Sequence, residues 1–113
     1  MSAMKKRLPA VLLAGIALAS LTAPASAGDA AAGRSKAKKC QMCHGIDGIA
    51  KIPIAPHIAG ESQIYLETQL KAFRSGKRVH EIMSVIAKDL SDEDIADLSA
   101  WYSSIKITAT MPQ

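Results

Sequence analysis

Apolar side chains recur at helical spacing through much of the second half of the chain. In SQIYLETQLKAFRSG, Leu66, Leu70 and Phe73 fall at i, i+4 and i+7, and Gly76 supplies a C-terminal stop. A second stripe, Ile95, Leu98, Trp101, Tyr102 and Ile105, follows SDED. There Ser91 and Asp94 have capping-box spacing, with Asp in place of the usual Glu, and the acids suit the positive end of a helix. Ile82, Met83 and Ile86 share one side of a shorter helix, expected over His80 to Ala87. A first helix is expected to start at Asp29, its N-cap, and to run through AAAGRSKAKKC to the cysteines. Gly33 lies inside it, where glycine costs about 1 kcal/mol against alanine; it either permits a close helix crossing or is tolerated. The segment between Gly45 and Gly60, GIDGIAKIPIAPHIAG, holds two prolines and no apolar period and reads as an ordered loop. Its Ile52, Ile54 and Ile58 are expected to pack on something apolar. No stretch reads as a strand, so the pattern predicts an all-α domain of about four helices.

The N-terminal end follows another rule. Lys5, Lys6 and Arg7 precede an apolar run over residues 8–21, followed by TAPASAGD with small residues at Ala25 and Ala27. This is the three-part pattern of a secretory leader, with cleavage expected after Ala27. The run is shorter than the roughly 20 residues a spanning helix needs. Residues 1–27 are thus expected to be a cleaved signal peptide and 28–113 a single exported domain, in the periplasm and without a stable membrane span. Three of the 14 Lys and Arg residues belong to the leader, which leaves 11 against 10 acids. That near balance gives no support to nucleic-acid binding.

A domain of this size is marginal on burial alone and often needs a staple or a cofactor. The whole chain has one Trp, two Tyr and one Phe to fill a core. Its only two cysteines stand in KKCQMCHGIDG: Cys40 and Cys43, with His44 directly behind. A zinc site needs about four ligands, and His57 and His80 are not at a usual zinc spacing from the pair. A thioredoxin-like dithiol needs strands that are missing. A plain disulfide suits an exported protein but leaves His44 unexplained. C-x-x-C-H as a c-type haem attachment site accounts for all three residues. Two thiols one helical turn apart can each add to a vinyl group of haem, and the imidazole of His44 then serves the iron. The macrocycle supplies the apolar mass that the sequence lacks.

A filled sixth position on the iron makes an electron carrier, and an open one permits ligand binding or peroxide chemistry. The candidates are Met42, Met83, Met111, His57 and His80. Met42 lies between the cysteines, Met111 in a tail and His57 in the loop beside His44. Met83, with His80 one turn away, is the best placed.

CQMCHG.DG, then P.IAG, YLETQL.AF..G.R and M..IAKDLSDEDIADLSAWYSS resemble a class I c-type cytochrome of the small bacterial type, close to the cytochrome c-553 and cytochrome c4-domain families. The resemblance runs from Gly28 to about Ile105. It implies one haem c joined through thioethers at Cys40 and Cys43, with His44 and Met83 as axial ligands. It also implies that the Pro56 carbonyl accepts the other ring N–H of His44, and that the first and last helices cross near Gly33, against Leu98 and Trp101 or Tyr102. His57 departs from the family pattern, which often has asparagine or a similar residue there. The function implied is a periplasmic carrier of single electrons rather than an enzyme, with redox proteins as donor and acceptor. Lys38, Lys39 and Lys51 could then steer an acidic partner. The alternatives are a haem subunit fixed to a periplasmic dehydrogenase such as a flavoprotein, and an enzyme or gas-binding protein with a labile sixth ligand.

Overall fold

The computed structural model describes Met1 and residues 27–113. The leader pattern therefore lies outside the described residues, apart from Met1 and Ala27. The elements are α1 (Ala30–Lys36), a 3-10 turn (Ala37–Lys39), α2 (Gln41–His44), α3 (Gln63–Ser75), α4 (Met83–Lys88) and α5 (Asp92–Ser104), with no strand among the described residues. The fold is all-α, as expected.

Local sequence explains most of the boundaries. The Asp29 carboxylate accepts the N–H groups of Ala31 and Ala32 at 2.8 and 3.1 Å and opens α1. Ser62 caps α3, and Gly76, at φ +81°, closes it in the left-handed conformation that glycine adopts without strain. The capping box of α5 is complete: Asp94 N–H donates to Ser91 Oγ at 3.0 Å, and Ser91 N–H donates to Asp94 Oδ2 at 3.1 Å.

Two boundaries differ from expectation. The first helix is not continuous to the cysteines. It tightens over Ala37–Lys39, where Cys40 N–H bonds the Ala37 carbonyl at 2.9 Å, and α2 follows as a separate turn. The tighter winding changes the rotation per residue and re-aims the residues beyond it. The third helix begins at Met83 instead of His80. The residues before it are held by side chains: His80 N–H donates to Ser84 Oγ at 3.0 Å, and Ile82 N–H to the His80 ring at 3.2 Å.

α1 and α5 cross at Gly33, which is buried. A Cβ there would overlap the Asp97 carbonyl and press on the Trp101 Cβ, so the crossing needs glycine. The close neighbours are Asp97 and Trp101, not Leu98 or Tyr102. One turn on, Lys36 Nζ reaches Asp97 Oδ2 at 2.7 Å and Asp94 Oδ1 at 2.9 Å, and the other Asp97 oxygen accepts Asp29 N–H at 2.7 Å. Below the crossing, Ala37, Leu66, Leu98 and Tyr102 form the core cluster, with Cys40, Ile46, Ile58 and Leu70 packed around it. Of the three loop isoleucines, Ile52 and Ile58 are half-buried, whereas Ile54 is 69% exposed.

Candidate functional site

A cleft of about 430 Å³ opens between the motif, the loop that follows it, α3 and α4. Cys40, Cys43 and His44 line it from the motif, Pro56 and His57 from the loop, and His80 and Met83 from the α4 segment. Leu66, Leu70 and Phe73, the α3 stripe, make an apolar side, and Leu98 and Tyr102 bring α5 to it. Met42 and Met111 do not line it and are 76% and 82% exposed.

His44 is buried. Its Nδ1 lies 2.9 Å from the Pro56 carbonyl oxygen. A carbonyl only accepts, so Nδ1 carries the proton and Nε2 keeps its lone pair. The residues around His44 are tied as firmly. Lys51 N–H donates to the Cys43 carbonyl at 2.8 Å. From α5, the buried Tyr102 hydroxyl donates to the Gly45 carbonyl at 3.0 Å, and Trp101 Nε1–H donates to the Ile46 carbonyl at 2.9 Å. Burial, with Cys40 close by, pushes the Tyr102 hydroxyl well above its ordinary pKa, so it stays a donor. Sequence reading placed both aromatics on an apolar stripe and missed these bonds. The available signal was chemical: a buried Tyr or Trp seeks a partner for its polar end.

The α4 side is built differently. The His80 ring Nδ1 accepts N–H groups from Ile82 at 3.2 Å and from Met83 at 3.3 Å. His80 thus caps the turn that carries Met83, and its ring meets the edge of Phe73 at a centroid distance of 6.5 Å. No other side chain caps α4.

Burial pushes the Cys40 thiol up to about 11, Cys43 adds to the rise, and Lys39 opposes it. A catalytic dithiol works through a lowered thiol pKa, so this pair is poorly suited to disulfide exchange. Among the described residues no three His, Cys, Asp or Glu side chains converge as metal ligands. The donor set does fit haem: two thiols in neighbouring turns, an imidazole with Nε2 free, a thioether on another element, and an apolar cleft between them.

The fold and the cleft define a small all-α protein built around a covalently held macrocycle. The sequence profile of the cytochrome c family matches residues 30–106, and the chain belongs to that family, whose members carry electrons on covalently bound haem c. The chain is 51% identical over 81 residues to cytochrome c-554(548) of Halomonas halodenitrificans, covering 69% of this chain and 98% of the relative. The crystal structure of reduced recombinant cytochrome c4 from Pseudomonas stutzeri superposes with a TM-score of 0.67 at 37% identity, covering 71% of this chain and 47% of that one. A thiosulfate dehydrogenase electron acceptor of Thiomonas intermedia is 38% identical over 78 residues, 67% of this chain and 36% of the relative. The chain thus spans nearly all of the first relative and less than half of the other two. Among the described residues no helix is long and apolar enough to cross a membrane.

Proposed function

We propose that this chain is a periplasmic monohaem cytochrome that shuttles single electrons between redox proteins. In this reading the leader is removed after Ala27, and residues 28–113 act as one cytochrome c domain. Cys40 and Cys43 hold the haem through thioethers, and His44 and Met83 are the axial ligands. The observation that carries the reading is the 2.9 Å bond from His44 Nδ1 to the Pro56 carbonyl, in a cleft that Met83 also lines. The bond fixes the ring, directs Nε2 to a ligand role and raises its basicity. His80 favours Met83 over itself, because its Nδ1 accepts N–H groups from Met83's own turn and so leaves the ring proton on Nε2, where a ligand needs a lone pair. Bound haem supplies a one-electron Fe(III)/Fe(II) couple, and a soft thioether favours the ferrous state. The protein's part is to hold the ligands, keep water away and leave no bond to be made with substrate.

The likeness to an electron acceptor of thiosulfate dehydrogenase supports a second reading, a haem subunit held by a periplasmic dehydrogenase. Gel filtration of the native protein separates the two: a lasting complex favours the subunit, and a free small species the carrier.

The test of the ligand set is an absorption spectrum of the protein matured in a bacterial periplasm. The wild type should show covalent haem and the weak long-wavelength methionine-to-ferric band. Met83→Ala should keep the haem, lose the band and bind carbon monoxide when reduced. A band that survives the substitution would exclude Met83.

A further inference from the structure

His57 directly follows Pro56 in the loop, and its side chain is placed where it matters. Its Nδ1 accepts the Ala50 N–H at 2.8 Å. The residue before it, Pro56, holds His44 Nδ1. The residue after Ala50, Lys51, donates its N–H to the carbonyl of Cys43, which precedes His44. These three bonds close a ring: Cys43–His44, Pro56–His57 and Ala50–Lys51, each dipeptide joined to the next. Two of the bonds end on backbone carbonyls. The third ends on an imidazole lone pair, and a protonated imidazole has no lone pair to offer.

We propose that His57 is a proton-sensitive clasp of the ring around the proximal ligand, so that the affinity of the haem iron for an electron depends on the charge of His57. His57 is exposed and also lines the cleft, so solvent protons reach it while its charge faces the cofactor. Neutral His57 keeps Ala50 in place and the ring closed. Protonation breaks the Ala50 bond and puts a positive charge at the cleft. Both changes act in one direction. The charge disfavours ferric iron, which is the more positive state, and a slackened Pro56 carbonyl makes the His44 imidazole a weaker donor to ferric iron. Reduction, with the electron coming from the redox donor, is therefore accompanied by partial uptake of a proton from water at His57.

The charged groups lining the cavities that His57 borders are Lys51, Glu61 and Arg78, together with the histidines His44 and His80, the thiols Cys40 and Cys43, and the tyrosines Tyr65 and Tyr102. Lys51 is held by Asp47 at 3.2 Å, and Arg78 by Gln69 at 2.6 Å. Histidine is the side chain whose ordinary range lies between about pH 5 and 8, so the three histidines are the groups to separate. His57→Asn does so, because the Asn Oδ1 can stand where Nδ1 stands and accept the Ala50 N–H, but it does not titrate.

The experiment is a spectroelectrochemical titration of the mature holoprotein between about pH 5 and 8, for wild type and H57N. The wild-type potential should fall as pH rises and then level off. A total change of about tenfold in the electron-transfer equilibrium is expected, which for a one-electron couple is about 59 mV. H57N should stay near the high-pH wild-type value throughout. The Ala50 amide proton, followed by NMR, should shift over the same range in wild type and not in H57N. A flat wild-type profile, or a slope that H57N retains, would overturn the clasp. The inference rests on haem ligation by His44 but not on Met83. A wild type without the methionine band, whose potential still follows His57, would remove Met83 and keep the clasp.

Discussion

The two stretches that bring ligand candidates to the cleft are held by different means. Around His44 four bonds from elsewhere in the chain hold the motif: the Pro56 carbonyl on the ring, Lys51 N–H on the Cys43 carbonyl, Tyr102 on the Gly45 carbonyl and Trp101 on the Ile46 carbonyl. Around Met83 the backbone rests on a short helix whose start is capped only by the imidazole of His80, next to Val79 and Val85 at 81% and 70% exposure. Local stability follows such differences in burial and bonding. The histidine side is part of the folded core, and the methionine side is expected to open before the rest of the domain unfolds.

The largest effect should come from breaking the histidine side at Gly48. Its φ is +73°, and a Cβ would lie 2.6 Å from Ala59 N and 2.7 Å from Ala59 Cα. Gly48→Val should destabilise the whole domain by about 3 kcal/mol or more, through left-handed strain and a backbone clash together. Urea unfolding of the holoprotein would show it, and a shift below about 1 kcal/mol would mean that this side is softer than its bonds suggest.

The next effect is acid. Hydrogen bonds from Lys36 hold the Asp97 and Asp94 carboxyls below the usual carboxylate range, and backbone N–H groups assist. A carboxyl lowered in the folded state contributes stability that is fully present above its unfolded value, about 4, and is lost as pH falls through the folded value. The same contacts hold Lys36 above its ordinary range, so its contribution is complete at and below neutral pH. The melting temperature should therefore hold steady down to about pH 4 and fall below it. Asp97→Asn should flatten that fall; an unchanged acid limb would show that the α1–α5 crossing does not depend on this network.

The smallest global effect, and the sharpest local one, should come from Ser84→Ala. It removes the acceptor for His80 N–H, a bond worth about 1 kcal/mol. The urea midpoint should barely move, while displacement of Met83, the sixth ligand in the proposed reading, by added imidazole should speed up roughly fivefold. If stability falls and ligand exchange does not change, the contrast between the two sides is wrong.

Much of this was legible in the sequence, for reasons that differ by element. α3 and α5 could be read because spacing, caps and a terminal glycine agree at each. The motif could be read because two thiols and an imidazole in five residues leave few chemistries. The glycine crossing and the Pro56 bond came from resemblance; the bond has the expected partner, and the crossing meets Trp101 as expected but Asp97 in place of Leu98. What stayed hidden was side chain meeting distant backbone. Nothing local distinguishes His80 as a cap from His80 as a helix residue, so the start of α4 was placed three residues early. Nothing in the sequence sets Lys36 apart from the other cations, yet it joins the first helix to the last. Trp101 and Tyr102 advertised apolar surface, and their polar ends found carbonyls 55 and 57 residues away.

That last pairing ties the two ends of the domain together. The motif lies near the beginning of the domain and its clamp near the end, so the two bonds close loops of 55 and 57 residues. A chain interrupted before Asp92 would carry both thiols and His44 yet lack Trp101, Tyr102 and the surface on which Gly33 rests. In the folded domain Cys40 packs on the cluster to which α5 gives Leu98 and Tyr102. The last helix therefore works as a latch: only once it is docked do the Gly45 and Ile46 carbonyls gain their Tyr102 and Trp101 donors.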